Sequence, residues 1–146
     1  MINNVKGSIN KELISRLKQT YSGKPWYGKS VKAVLALTDD QLPDKVLTLV
    51  NHMIAWRNYV AAVLEHREYK IKIDSDEDWP VVNQGQNELL AALDDSQNEL
   101  IIAISEFDAQ KWKNKIPDAR YSYFELCQGI IDHDIYHTGQ IALLLK

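Results

Sequence analysis

At 146 residues, with 45% hydrophobic and 25% charged side chains, the chain has the size and composition of a single globular domain, here residues 1–146. A net charge of −3, with Lys and Arg scattered singly, leaves no basic face for nucleic acid. No apolar run approaches the ~20 residues that cross a bilayer, MINNVKGSIN lacks an apolar leader core, and the single Cys127 excludes an internal disulfide framework; a cytoplasmic protein with no membrane partner is expected.

Apolar residues recur every three or four positions in four stretches, the signature of amphipathic helices. In the first, Ile9, Leu13, Leu17 and Tyr21 share a face until Gly23, Pro25 and Gly28 break it in YSGKPWYG. A short apolar segment, residues 31–37, precedes the polar TDDQ, and Pro43 suits the first turn of the next helix, where its missing N–H costs nothing.

That second long helix carries Leu49, His52, Met53, Trp56, Val60, Val63 and Leu64 on one stripe. From residue 70 to 84 the pattern stops, and the acidic, Pro-containing IDSDEDWPVVNQ reads as a long loop. Asp74, Asp76 and Asp78 imitate the start of an EF-hand. Trp79 stands where that loop needs Gly, however, and Gly85 where it needs Glu, so calcium is rejected. YKIKI has extended character but no partner strand.

A third helix is expected over 87–107, with Leu90, Leu93, Leu100, Ile101 and Ile104 on its stripe, followed by a connector over 108–120. The fourth opens on Ser122-Tyr-Phe-Glu125, a capping box in which Ser and Glu each satisfy a free helical N–H. Its stripe is Tyr123, Cys127, Ile130, His137, Ile141 and Leu144. Four amphipathic helices without strands predict an all-α, up-and-down four-helix bundle or a close variant.

The fourth helix also carries His133 and His137, four apart in HDIYHTGQIALLLK and therefore stacked on one helical face. Such a pair can converge on one ion, although four His placed at random give the spacing in roughly one chain of twelve. Two ligands need a third. TGQIALLLK offers no His, Asp or Glu, and Asp134 replaces the Glu of a zincin HExxH motif, so the third ligand is sought upstream.

His52 is the best candidate, because an imidazole on an apolar stripe needs a partner to offset lost hydration; a core histidine bonded to a carbonyl is the alternative. His66 lies fourteen residues beyond it, ~21 Å along a helix, and is read as solvated. Three neutral imidazoles leave a tetrahedral ion one open position, the arrangement of catalytic zinc. The other nitrogen of each His needs an acceptor, for which Asp132, Asp134 and Glu125 are near in sequence, weighed against a role as solvated helix charges. Gln140, one turn beyond His137, reads by default as an interface residue and Cys127 as a small buried filler.

Together these residues resemble the DinB/YfiT-like superfamily of metalloenzymes. The resemblance rests on Asp132-His133-Asp134-Ile135-Tyr136-His137-Thr138-Gly139-Gln140-Ile141, on His52 with Trp56-Arg57, on Pro25-Trp26-Tyr27-Gly28 and on Glu77-Asp78-Trp79-Pro80. It spans residue 25 to the C-terminus, and the C-terminal motif is its most specific part. It implies a four-helix bundle holding one divalent ion, zinc or nickel, on three histidines that map onto His52, His133 and His137, with a homodimer as the common assembly. It implies a small-molecule substrate, with thiol-dependent transferases acting through a low-molecular-weight thiol, and hydrolases, among the activities.

Beside the ion, Trp26, Tyr27, Trp56, Trp79 and Tyr136 are candidates for a pocket, each weighed against ordinary core packing. Arg57 follows an inward Trp by about 100° of helix and is not expected to meet substrate. Three readings compete: a metal-dependent transferase or hydrolase, a non-catalytic binding or dimerisation module that the ion merely stabilises, and a degenerate member that binds no metal.

Overall fold

Helical periodicity in the chain becomes five helices in the computed structural model, which describes residues 2–146, with side chains from residue 7 onward. The leader reading of MINNVKGSIN rests in part on residues outside the described ones. The helices are α1 (Ile2–Ser22), α2 (Val31–Leu35), α3 (Asp44–Leu64), α4 (Gln86–Glu106) and α5 (Tyr123–Leu144). Among the described residues there is no strand; YKIKI stays unpaired, and a single bridge joins Lys115 to Ser122 in the connector before α5. No helix is long and apolar enough to cross a membrane.

Local chemistry sets the ends. Gly23 closes α1 because a Cβ there would come within 2.8 Å of the Gln19 backbone. Ser30 caps α2, its hydroxyl accepting from the Ala33 N–H at 3.2 Å, and the helix stops two residues short of the expected segment. Pro43 is the N-cap of α3 and lies outside the first turn expected for it; its carbonyl accepts from Val46 and Leu47. Ser122 and Glu125 form the capping box of α5, Ser122 Oγ accepting from the Glu125 N–H at 3.1 Å.

The stripes turn inward much as spaced. Leu13, Leu17 and Tyr21 of α1, Met53, Val60 and Leu64 of α3, Leu89, Leu93, Leu100 and Ile104 of α4, and Cys127, Ile130 and Ile141 of α5 are buried. Leu49, Trp56, Val63, Leu90 and Ile101 of the expected stripes are only partly buried, Leu89 taking the place expected for Leu90, and Leu144 is exposed at the last turn of α5. The connector contributes Trp112, whose indole N–H donates to Asn10 at 2.8 Å; Asn10 in turn donates to the last carbonyls of α4, Ile104 and Phe107.

α3 packs on α4 and α5, and α1 packs on the same two, while α2 rests on α1 and α5. Among the described residues α1 and α3 do not pack together, nor do α4 and α5. This corrects the simple up-and-down order, in which chain neighbours are spatial neighbours. The segments at 23–43 and 107–122 are long enough to cross the end of the array, so of the four long helices only α3 and α4 are neighbours in both senses. One consequence matters for function: the helix carrying His52 lies directly against the helix carrying His133 and His137.

Candidate metal centre

The three imidazoles converge. His52 Nε2 stands 3.1 Å from His133 Nε2 and 3.1 Å from His137 Nε2, and the last two are 3.1 Å apart. Three donors held tetrahedrally at ~2.0–2.1 Å from one ion would be spaced by roughly 3.3 Å. The triangle is within a few tenths of an ångström of that figure. Among the described residues, this is where three His, Cys or carboxylate ligands meet closely enough to hold a metal.

Hydrogen bonds on the far side of the rings decide what the triangle is for. His52 Nδ1 lies 2.7 Å from the Asp78 carbonyl, and His137 Nδ1 lies 2.6 Å from Gln140 Oε1. Both partners are acceptors, so each Nδ1 carries the proton and donates, which leaves a bare lone pair on each Nε2. Two lone pairs facing at 3.1 Å cannot hydrogen-bond to one another. A cation between them resolves the clash, and the donor set fits one. His133 Nδ1 is buried without a hydrogen-bond partner among the described residues, so none of them pins its tautomer.

Burial keeps His133 and His137 neutral, as metal ligation requires. Burial, reinforced by His137 and His52, holds His133 down to about 3. Burial also lowers His137, with Gln140 opposing. Burial pushes the Asp78 carboxyl up, but the Asp74 N–H, the Trp56 indole at 2.7 Å and the neighbouring His52 outweigh it, so its net shift is downward.

The loop supplies more than the sequence reading gave it. The Asp-rich stretch that failed as a calcium loop places Asp78 under His52, and Trp79 flat on its ring with centroids 3.7 Å apart. Asp74 adopts a positive φ of 63° and donates its N–H to Asp78, bending the loop onto α3.

Two readings of single residues are corrected, those of Asp134 and Gln140. Asp134, expected as a solvated charge, is buried and paired with Arg57, which itself is 0% exposed. One guanidinium joins three helices: Nε donates to Ser96 at 2.9 Å, and the two terminal nitrogens to Asp134 and Gln97. Burial raises the Asp134 carboxyl while Arg57 pulls against it. The available signal was the Ser96-Gln97 pair, which interrupts the apolar stripe of α4 between Leu93 and Leu100. Gln140 faces His137 rather than a plain helix interface. Glu125 is exposed and caps α5 as expected, and it also lines the cleft beside the site.

The aromatic candidates separate. Trp56 lies beside the triangle, its ring 6.0 Å from that of His133, and Trp79 covers His52. Tyr136 is largely exposed but edges His137 at 5.1 Å. Trp26 is 95% exposed, and Tyr27 lines a small groove with Gly139 and Ala142 instead of the histidine cluster. The break after α1 turns both away, so neither belongs to the site. Asp132 and His66 are exposed as expected. Cys127 is fully buried, its thiol pushed up to about 12 by burial, a filler without nucleophilic character.

Two clefts flank the triangle. One of about 550 Å³ opens on His52 and His133; another of about 760 Å³ opens on His137, Trp79 and Tyr136. No family model, curated protein or solved structure matches this chain.

Proposed function

We propose that this chain is a DinB/YfiT-like four-helix-bundle metalloenzyme that holds one divalent ion, zinc or nickel, on His52, His133 and His137. One observation carries the reading: the Asp78 carbonyl and Gln140 fix two Nε2 lone pairs toward a shared point beside a cleft of about 550 Å³. A histidine kept only for packing would need neither that triangle nor an adjoining cleft of ligand size.

An ion at that point would supply Lewis acidity and lower the pKa of a thiol or water that met it. The chain's own groups do the rest. Asp78 and Gln140 orient the imidazoles, Trp79 shields His52 from solvent, and Trp56 gives the cleft a rigid wall. The proposed reaction is transfer to or from a low-molecular-weight thiol, with hydrolysis of a small electrophile as the related alternative, in a cytoplasmic homodimer.

The test is elemental analysis of tag-free protein followed by a thiol-consumption screen with small electrophiles. About one ion per chain, lost in His137→Ala together with thiol consumption, supports the proposal. Metal-free protein of unchanged stability sinks it. A tightly held ion without turnover would favour the stabilised binding module.

A further inference from the structure

The cleft beside His52 and His133 has a one-sided chemistry. Trp56, Val60, Leu126 and Ile130 form its walls, and Ile73 stands at its mouth, 71% exposed. No Lys or Arg lines it. Of its two carboxylates, Asp78 is already engaged by Trp56, His52 and the Asp74 N–H. Glu125 is not so engaged. It is exposed, and its Oε1 is held by Ser122 only at 3.3–3.4 Å. Its Oε2 makes no hydrogen bond among the described residues. The neighbouring cleft, by contrast, includes Lys45.

We infer that the cleft takes a small molecule with an apolar body, whose metal-seeking end meets the histidine triangle and whose far end carries an ammonium group against Glu125. This rests on the metal-centre reading above and names the substrate class for it. Apolar walls reward the removal of an apolar body from water. A carboxylate at the far end would face Glu125 with no Lys or Arg in the cleft lining to neutralise it, a like-charge contact in a partly dehydrated cleft. Thiols whose only remote charges are carboxylates are therefore excluded, and amine-bearing or neutral ones are accepted.

Three aromatic thiols of one size separate the cases: 4-(aminomethyl)benzyl mercaptan, 4-methylbenzyl mercaptan and 4-(mercaptomethyl)benzoate. Each is titrated into cobalt-loaded protein, and affinity is read from the sulfur-to-cobalt absorption band. The cationic probe binds tightest and the anionic one weakest, about tenfold apart, since an exposed charge contact is worth up to about fivefold in either direction. Glu125→Gln keeps a capping-box residue, so α5 still starts in place, and it shrinks that ratio to about twofold. Equal or tighter binding of the benzoate, an unchanged ratio in Glu125→Gln, or no band with any probe would overturn the assignment. The visible spectrum of cobalt before any thiol is added tests the metal site separately; its absence overturns the metal reading, and this inference with it.

Discussion

The indole of Trp79 lies flat on the imidazole of His52, ring centroids 3.7 Å apart and planes within 8°. A loop residue thus fixes the orientation of a ligand that sits on α3, while the Asp78 carbonyl before it fixes the tautomer. Loop and helix act as one unit at the site.

Trp79→Leu removes that stack while leaving the three nitrogens present. Metal affinity is expected to fall about tenfold, the lower end of what partners around a ligand contribute. Competition against a chromophoric chelator measures it. An unchanged affinity would mean that the stack only covers the loop.

Gln140→Ala deletes the acceptor for His137 Nδ1, which at 2.6 Å is the one group among the described residues that holds that tautomer. A 10–100-fold loss of metal affinity is expected, with thermal stability of the chelator-treated protein nearly unchanged because Gln140 is half-buried at the helix surface. A stability loss without an affinity loss would assign Gln140 to packing.

Acid tests the neutrality of the triangle. His133 is held at about 3 by burial, below its unfolded value of 6.5, and His137 is also lowered. The folded state therefore binds fewer protons than the unfolded chain between those values, so their contribution to stability is lost as pH falls from 6.5 toward 3. Asp134 is shifted upward by burial and acts in the opposite sense. The clean comparison is metal-free wild type against His133→Gln, whose melting temperatures are expected to draw in the variant's favour as pH drops from 7 to about 4. Parallel curves would falsify the assignment.

The buried pair of Arg57 and Asp134 gives the largest expected stability effect. Arg57→Met strands the Asp134 carboxylate, whose Oδ1 already lacks a partner, and is expected to cost about 3–5 kcal/mol in urea unfolding. Arg57→Met combined with Asp134→Leu removes both charges and is expected to recover most of that loss. If the double variant is as unstable as the single one, the pair is not the source.

Much of the helical architecture was legible in one dimension. The period of apolar residues marked the four long helices, α4 to within a residue, though α1 starts at Ile2, seven residues ahead of its first named apolar position. Ser122 with Glu125 marked the start of α5, because caps and periodicity are local properties of the chain. The histidine pair was legible for the same reason: positions four apart must share a helical face. His52 could be nominated, since a polar ring on an apolar stripe signals an unmet need.

What stayed hidden depends on chain segments far apart in sequence. Nothing near Arg57 announces that Ser96, Gln97 and Asp134 will surround it, so the sequence placed it only about 100° from the Trp56 side, and Asp134 looked solvated until α3, α4 and α5 closed together. The loop residues Asp78 and Trp79 looked like a failed calcium motif, since no periodicity predicts how an irregular loop folds back. Trp26 and Tyr27 could not be separated from Trp56 by residue type; the turn after α1 alone sends them elsewhere. By itself the sequence determined the helices, their buried faces and three histidines available to one ion. Only the tertiary structure decided that α3 lies against α5, that the three Nε2 atoms meet at 3.1 Å, and which partners hold them there. The physical reason is that periodicity constrains each helix alone, whereas ligand geometry is set by how separate helices and one loop pack together.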